Sequence, residues 1–363
     1  MIKKAAIKLV SLVYIISMLA GFSTTASAAE TQQELKGFSY KVVLPENQHN
    51  PDVGYYDLRM TPSQQQTIQM QLNNSSDKEI TIMVSLNGAK TNSNGVIEYG
   101  ENEIENDASL KYDFADIVKA PEEVVVPANS SEMLNMEITM PEASFEGYIS
   151  GAVTIQEKDG EGQETNTDQG MIVNKLAYQT GILLSEADSN ELSPDMKLNR
   201  VYPELNNFRN AIFVNFSNVQ PVYTDDMTVD VQIMGKDSDE VLYDTKKANM
   251  RMAPNSMIDF PVSMNGERMT PGDYRAKILV TTKAGGKWQW EENFKITDEE
   301  ADKFNEQDLT LVQDAGINWQ LIIMIVGGLL LLILIIFLVI RLLKKKNKQN
   351  KRKKASSKRK KKK

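Results

Sequence analysis

The sequence predicts an all-β protein: two tandem antiparallel β-sandwiches, preceded by a signal peptide and followed by one C-terminal transmembrane helix. Three observations predict it. Short runs in which apolar and polar residues alternate fill residues 30–314, a set of turn motifs recurs at a fixed offset, and an uncharged apolar run lies near each end of the chain.

The N-terminus has the three parts of a secretory signal over residues 1–28. Lys3, Lys4 and Lys8 form its charged region, Leu9 to Phe22 its apolar stretch, and Ala26-Ser27-Ala28 its small-residue cleavage site. The first sandwich is expected over residues 30–185. Ile68, Met70 and Leu72 alternate with glutamines, and Ile80, Ile82, Val84 and Leu86 face away from Thr81, Met83 and Ser85. Leu134, Met136, Ile138 and Met140 repeat the pattern, and turn clusters such as Asn73-Asn74-Ser75-Ser76 and Pro127-Ala128-Asn129 separate the runs. The second sandwich is expected over residues 190–297, where Val229, Val231 and Ile233, and then Tyr274, Ala276, Ile278 and Val280, alternate in the same way.

The two halves read as copies of one unit. Pro127-Ala128-Asn129-Ser130 returns as Ala253-Pro254-Asn255-Ser256, and Glu146-Gly147-Tyr148 has a counterpart in Pro271-Gly272-Asp273-Tyr274. The offset is about 126 residues, close to one immunoglobulin-like domain. A looser pair is Leu72-Asn73-Asn74-Ser75 and Val214-Asn215-Phe216-Ser217-Asn218. The first copy carries an insertion at about 87–121, which is where a plain sandwich would acquire a binding surface. The acidic stretch Asp298–Asp308 is the one helical candidate and opens a juxtamembrane segment, 298–318. Residues 319–340 read as a membrane span. Leu321 to Ile340 is free of charge, and 20 residues at a helical rise of about 1.5 Å cover a hydrocarbon core of about 30 Å. The tail, 341–363, holds 15 Lys and Arg and no acid, which places the C-terminus in the cytoplasm.

Charge and composition exclude several chemistries. The chain has 363 residues, no cysteine and a single histidine, His49. There is therefore no disulfide, thiol nucleophile or thiolate metal site, and no site needing two imidazoles in one chain. The formal charge of −8 hides a strongly acidic stretch, because residues 30–340 hold 23 basic and all 49 acidic residues. Such a field opposes nucleic acid and other anionic polymers. The Asp237-Ser238-Asp239-Glu240 run lacks the glycine and terminal glutamate of a calcium loop. No nucleophile elbow or phosphate loop is present. The reading is a binding protein without catalysis, metal or cofactor.

Several segments together resemble the WxL-interacting proteins of Gram-positive bacteria. They are Phe38-Ser39-Tyr40 through Leu44-Pro45-Glu46-Asn47-Gln48, Asn94-Gly95-Val96-Ile97-Glu98-Tyr99, Ser109-Leu110-Lys111-Tyr112 and Ile117-Val118-Lys119-Ala120-Pro121. In the second half, Asn210-Ala211 and Asn249 through Ser256 are similar to the same family. One residue departs from the pattern: Phe208 stands before Arg209-Asn210, where glycine is commoner. The resemblance implies an N-terminal domain that binds peptidoglycan. It also implies a membrane-proximal domain that binds WxL-domain surface proteins or host proteins, those of the extracellular matrix included. Contacts to a wall polymer would then come from neutral amide and phenol groups. Asn47, Gln48, Tyr55, Tyr56, Tyr99 and Tyr112 are the candidates in the first domain, and Arg251, Asn255 and Tyr274 are the partner-binding candidates in the second. The expected protein is a cell-surface scaffold in the cell membrane, with its N-terminal part outside. The competing reading is an adhesin or ligand-sensing receptor that does not touch the wall.

Overall fold

The computed structural model describes residues 38–158, 176–188, 192–311, 322–336 and 340–341. The expected signal peptide, the acidic run after Lys158, parts of the expected membrane span (319–321 and 337–339) and nearly all of the basic tail lie outside the described residues.

The first sandwich is built from β1 (Phe38–Val43), β2 (Tyr56–Arg59), β3 (Gln65–Asn74), β4 (Ile80–Gly88), β5 (Lys90–Thr91), β6 (Ile97–Glu98), β7 (Val118–Lys119), β8 (Glu123–Val126), β9 (Ser130–Thr139), β10 (Ile149–Glu157) and β11 (Ala177–Ser185). One sheet runs β1-β3-β9-β7 and the other β2-β11-β10-β4-β8, while β5 and β6 form a separate hairpin. Alternation decides the faces: Ile68, Met70 and Leu72 of β3 meet Leu134, Met136 and Ile138 of β9, and all six are buried. Ile82, Val84, Val153 and Ile155 come from the facing sheet into the same core. A short helix, α1 (Phe114–Ile117), capped by the Asp113 side chain, adds Phe114 and Ile117 to it.

The pairing departs from the all-antiparallel expectation at one place. β2 pairs in parallel with β11, whereas β1 pairs antiparallel with β3. The first stretch of chain runs along the sandwich edge and changes sheets at the 44–55 loop, so one direction of travel meets oppositely directed neighbours.

The second sandwich comprises β12 (Met196–Leu205), β13 (Asn210–Asn218), β14 (Thr224–Gly235), β15 (Val241–Met252), β16 (Ser256–Ser263), β17 (Gly272–Thr282) and β18 (Lys287–Ile296). Its sheets run β12-β13-β16 and β15-β14-β17-β18. This is the first sandwich again: β1-β3-β9 corresponds to β12-β13-β16, and β8-β4-β10-β11 to β15-β14-β17-β18. The repeated Asn-Ser motifs sit at equivalent corners. Asn129 and Asn255 both have positive φ, 51° and 45°, and each immediately precedes its strand, β9 or β16. Asn tolerates this left-handed backbone better than other non-glycine residues. The looser upstream pair also acquires a meaning. Asn74 and Asn218 close β3 and β13, and each buried amide donates to carbonyls of the corner, from Asn74 to Val126 and Pro127 at 3.0 Å and from Asn218 to Ala253 at 3.2 Å.

The acidic stretch does form a helix, α2 (Asp298–Gln307), begun by a Thr297–Glu300 capping box. It is docked against the second sandwich, with Ala301 and Phe304 in the core. Asn305 exchanges hydrogen bonds with the Met269 backbone (2.7 and 2.8 Å), and Asp308 accepts from the Asn210 backbone N–H at 2.8 Å. Residues 322–336 are helical with every position exposed. Among the described residues no helix is long and apolar enough to cross a membrane.

Candidate functional site at the seam of the two sandwiches

The insertion between β4 and β8 folds inward onto the second sandwich. The β5–β6 hairpin turns at Gly95, where φ is +69° and an added Cβ would lie 2.5 Å from the Met250 side chain. The Gly95 carbonyl accepts from the Arg251 backbone N–H at 2.8 Å, and Thr91 Oγ1 accepts from the Ala253 N–H at 3.0 Å while bonding the Ser256 hydroxyl at 2.6 Å. Asp107, itself buried, accepts from the Ser217 hydroxyl, and Asn255 donates to Ser109 Oγ at 3.1 Å. The second copy of the Asn-Ser motif is therefore a docking site for the first copy's insertion. Gly147 closes the seam: φ is +82°, and a Cβ there would meet the Pro221 carbonyl oxygen at 2.3 Å. Beside it, the Tyr148 N–H donates to that same carbonyl at 2.8 Å.

Next to the seam the sandwiches leave a cleft of about 490 Å³, lined by Tyr55, Tyr99, Tyr148, Gln179, Tyr223 and the Asp225–Arg251 ion pair, among others. Tyr223 anchors the floor. Its hydroxyl meets that of Tyr99 at 3.2 Å and the Ser150 hydroxyl, and burial pushes its phenol well above the usual tyrosine range. Tyr148 lies beside it, with ring centroids 6.1 Å apart. Tyr55 is 38% exposed, and partial burial followed by the Asp57 charge raises its phenol as well. The four phenols present hydroxyls and aromatic faces to the cleft, a chemistry suited to sugars and amides. A polar annex of about 430 Å³ shares Tyr55, Tyr148 and Leu183 with the cleft and adds His49, Asn50 and Arg59. Among the described residues no group of acidic and histidine side chains is placed to hold a metal ion.

Comparison with protein families gives two adjoining matches. The WxL Interacting Protein peptidoglycan binding domain matches residues 38–157, and the host binding domain of the same protein matches residues 167–306. The chain belongs to the WxL-interacting protein family. The two family domains and the two sandwiches do not divide at the same residue. The host-binding match begins before β11, yet β11 pairs with β10 and β2 inside the first sandwich. The cleft consequently takes Tyr55, Tyr99 and Tyr148 from the peptidoglycan-binding domain and Gln179, Tyr223 and Arg251 from the residues matched as host-binding. Similar solved structures include the Pseudomonas aeruginosa CupB2 chaperone, at 11% identity, covering 62% of this chain and 91% of that one with a TM-score of 0.23. The CsuC-CsuE chaperone-tip adhesion subunit complex of Acinetobacter baumannii is similar at 10% identity, with coverages of 64% and 91% and a TM-score of 0.27. No curated protein matches the chain.

The structure brings some of the sequence-selected residues of this WxL-interacting protein together and separates others. Tyr55, Tyr99 and Arg251 share the cleft. Tyr112 lies in a different cavity of about 350 Å³, against the Phe145 ring at 5.8 Å and under the Lys111 ammonium, and Asn255 lines the same cavity. Tyr56 corrects the sequence reading. It is fully buried, its hydroxyl donates to the Gln69 carbonyl at 2.6 Å, and a side chain so enclosed is core. Asn47 and Gln48 are occupied in holding their loop. Asn47 pairs with Gln66 at 2.8 and 2.9 Å, and Gln48 bonds the Asn50, Tyr55 and Asp57 backbones. Tyr274 stands apart on β17, stacked on Phe294 with its hydroxyl on the Thr270 carbonyl. Sequence reasoning missed Tyr148, Gln179, Tyr223 and Asp225. Tyr148 follows Gly147, which the sequence marks only as part of the repeat, whereas Tyr223 follows Pro221-Val222 in a turn with no signal of its own.

Proposed function

We propose that the protein is a non-catalytic, membrane-anchored scaffold of the cell surface. It binds peptidoglycan in the tyrosine-lined cleft and uses its second domain to bind a WxL-domain surface protein or a host protein, such as one of the extracellular matrix. The observation that carries this is the cleft itself, where four phenols and the Gln179 amide converge. Both family domains are described as binding domains, which agrees with a chain that holds surfaces together. The charge-free run from Leu321 to Ile340 and the 15 bases after it support a single span with the N-terminal part outside and the C-terminus in the cytoplasm. The segment at 1–28 supports export.

The test is sedimentation of the full-length, detergent-solubilised protein with purified peptidoglycan. It is expected to sediment and to release neither sugar nor peptide. Tyr55→Ala, which removes an exposed ring without touching the seam bonds, is expected to weaken sedimentation by about tenfold, the loss of roughly 1.4 kcal/mol. Release of fragments would refute the non-catalytic reading. A protein that stays in solution would refute wall binding and leave the adhesin or receptor.

A further inference from the structure

The hairpin joining β12 to β13 carries a contradiction between residue and backbone. Asn206 and Arg209 exchange backbone hydrogen bonds at 2.8 and 3.1 Å, and the two residues between them, Asn207 and Phe208, have φ of 49° and 59°. This is a two-residue turn with both central positions left-handed, whose second position favours glycine. A bulky aromatic residue at positive φ is a genuine outlier, and Phe208 is 65% exposed. Neither the fold nor the cleft uses that ring.

A second exposed apolar side chain sits beside it. The Leu309 N–H donates to the Phe208 carbonyl at 3.1 Å, and Leu309 is 79% exposed, the most exposed large apolar residue described. The pair is held rigidly, because Asp308 and Asn305 pin this stretch to Asn210. Arg209 and Arg268 lie in the two loops at this end, both exposed. The position in the chain is equally specific. Ten residues separate residue 311 from the apolar helix described from residue 322, a span of at most about 35 Å. This end of the second sandwich thus stays within about a domain's length of the apolar run, whereas the cleft lies at its other end.

We infer that Phe208 and Leu309 form an apolar foot that inserts into the headgroup–acyl boundary of the lipid bilayer, with Arg209 and Arg268 on the phosphates around it. This rests on the membrane-anchored reading above. The foot sets the second sandwich upright on the membrane. Aromatic and aliphatic side chains flanked by arginine suit that boundary, the ring seated at headgroup level and the cations in water.

The chain has no cysteine, so a single introduced one reports without interference. Full-length protein carrying Asn207→Cys, labelled with an environment-sensitive fluorophore, is reconstituted into vesicles of phosphatidylcholine and phosphatidylglycerol. A parallel sample carries the label at Asp77→Cys, in the far turn of the first sandwich. The label at 207 is expected to shift to the blue and to be quenched by lipids bearing a quencher just below the headgroup, and the label at 77 to do neither. Adding Phe208→Gly and Leu309→Ser is expected to abolish the shift while the protein still floats with the vesicles. Phe208→Gly alone is expected to unfold no earlier than the parent, because glycine relieves the turn. An unquenched label at 207 on protein that floats with vesicles would overturn the foot and leave the anchor intact. So would a blue shift already present without vesicles, which would mean contact with a second protein molecule. Failure of the unmodified chain to float would overturn the anchored reading itself.

Discussion

The two sandwiches share seven strands in the same order, yet equivalent strands are buried differently. β3 alternates: Ile68, Met70 and Leu72 are enclosed, while the glutamines between them reach solvent. In β13 all nine residues are buried. The difference lies in what covers the outer face. On β13, Asn199 donates to Asn215 and Ser217 (2.7 Å each), Tyr202 stacks on Phe213, and Asp107 of the first domain takes the Ser217 hydroxyl. One fold serves as a free-standing sheet in the first copy and as a receiving surface in the second. The insertion that makes the first copy larger is therefore the feature that joins the copies.

The largest effect is expected at the matched corner amides. Asn218→Ala strands the Ala253 and Val222 carbonyls that the side chain serves, and about 3 kcal/mol of stability should be lost in urea unfolding. Asn74→Ala removes the same peg from the first copy, where the corner carries nothing across the seam. Its cost should be smaller, and equal costs would break the comparison. An intermediate effect is expected from Gly147→Ala, which forces a side chain against the Pro221 backbone at a left-handed φ, for about 2 kcal/mol. Calorimetry of the parent should show one transition for both sandwiches and that of the variant two. A variant that kept a single transition would mean the seam does not couple them.

The smallest effect concerns the chain between the copies. Arg59 hydrogen-bonds Asp188 and holds its carboxyl below the usual carboxylate range, tying the connecting segment to the first sandwich. A carboxyl depressed in the folded state stabilises above its unfolded pKa, and that contribution disappears as pH falls through the depressed value. Asp188→Asn should therefore lower the Tm slightly at neutral pH and match the parent in strong acid. A gap that widened on acidification would contradict the assignment.

The strands were legible in the sequence because alternation survives wherever one sheet face meets a core. The corners were legible because few residues accept a left-handed backbone, so Asn129 and Asn255 had to recur. Legibility ended where polar residues serve the protein rather than a ligand. Asn47 and Gln48 have the composition of a binding loop, but their amides satisfy neighbouring backbone and side-chain groups. Tyr56 failed for a related reason, since β2 is enclosed between β11 and the core and its three leading residues are all buried. The insertion reads in the sequence as a binding surface, and what it faces, the second sandwich, is not encoded in its polarity. Tyr223 reaches the cleft from the far side of the seam, a proximity no spacing encodes.

The docked helix α2 also determines how the protein carries tension. A pull along the chain from its C-terminal side meets the second sandwich at Asp308 and Asn305. Without α2 that pull would fall on the end of β18, an edge strand, and peel it from β17 one hydrogen bond at a time. Asn305 and Asp308 instead hand the load to Met269 and to Asn210 at the start of β13, in the opposite sheet. Both sheets are then loaded together. Rupture must then break bonds in both sheets at once, which on the membrane-anchored reading proposed above would let the second sandwich serve as a strut.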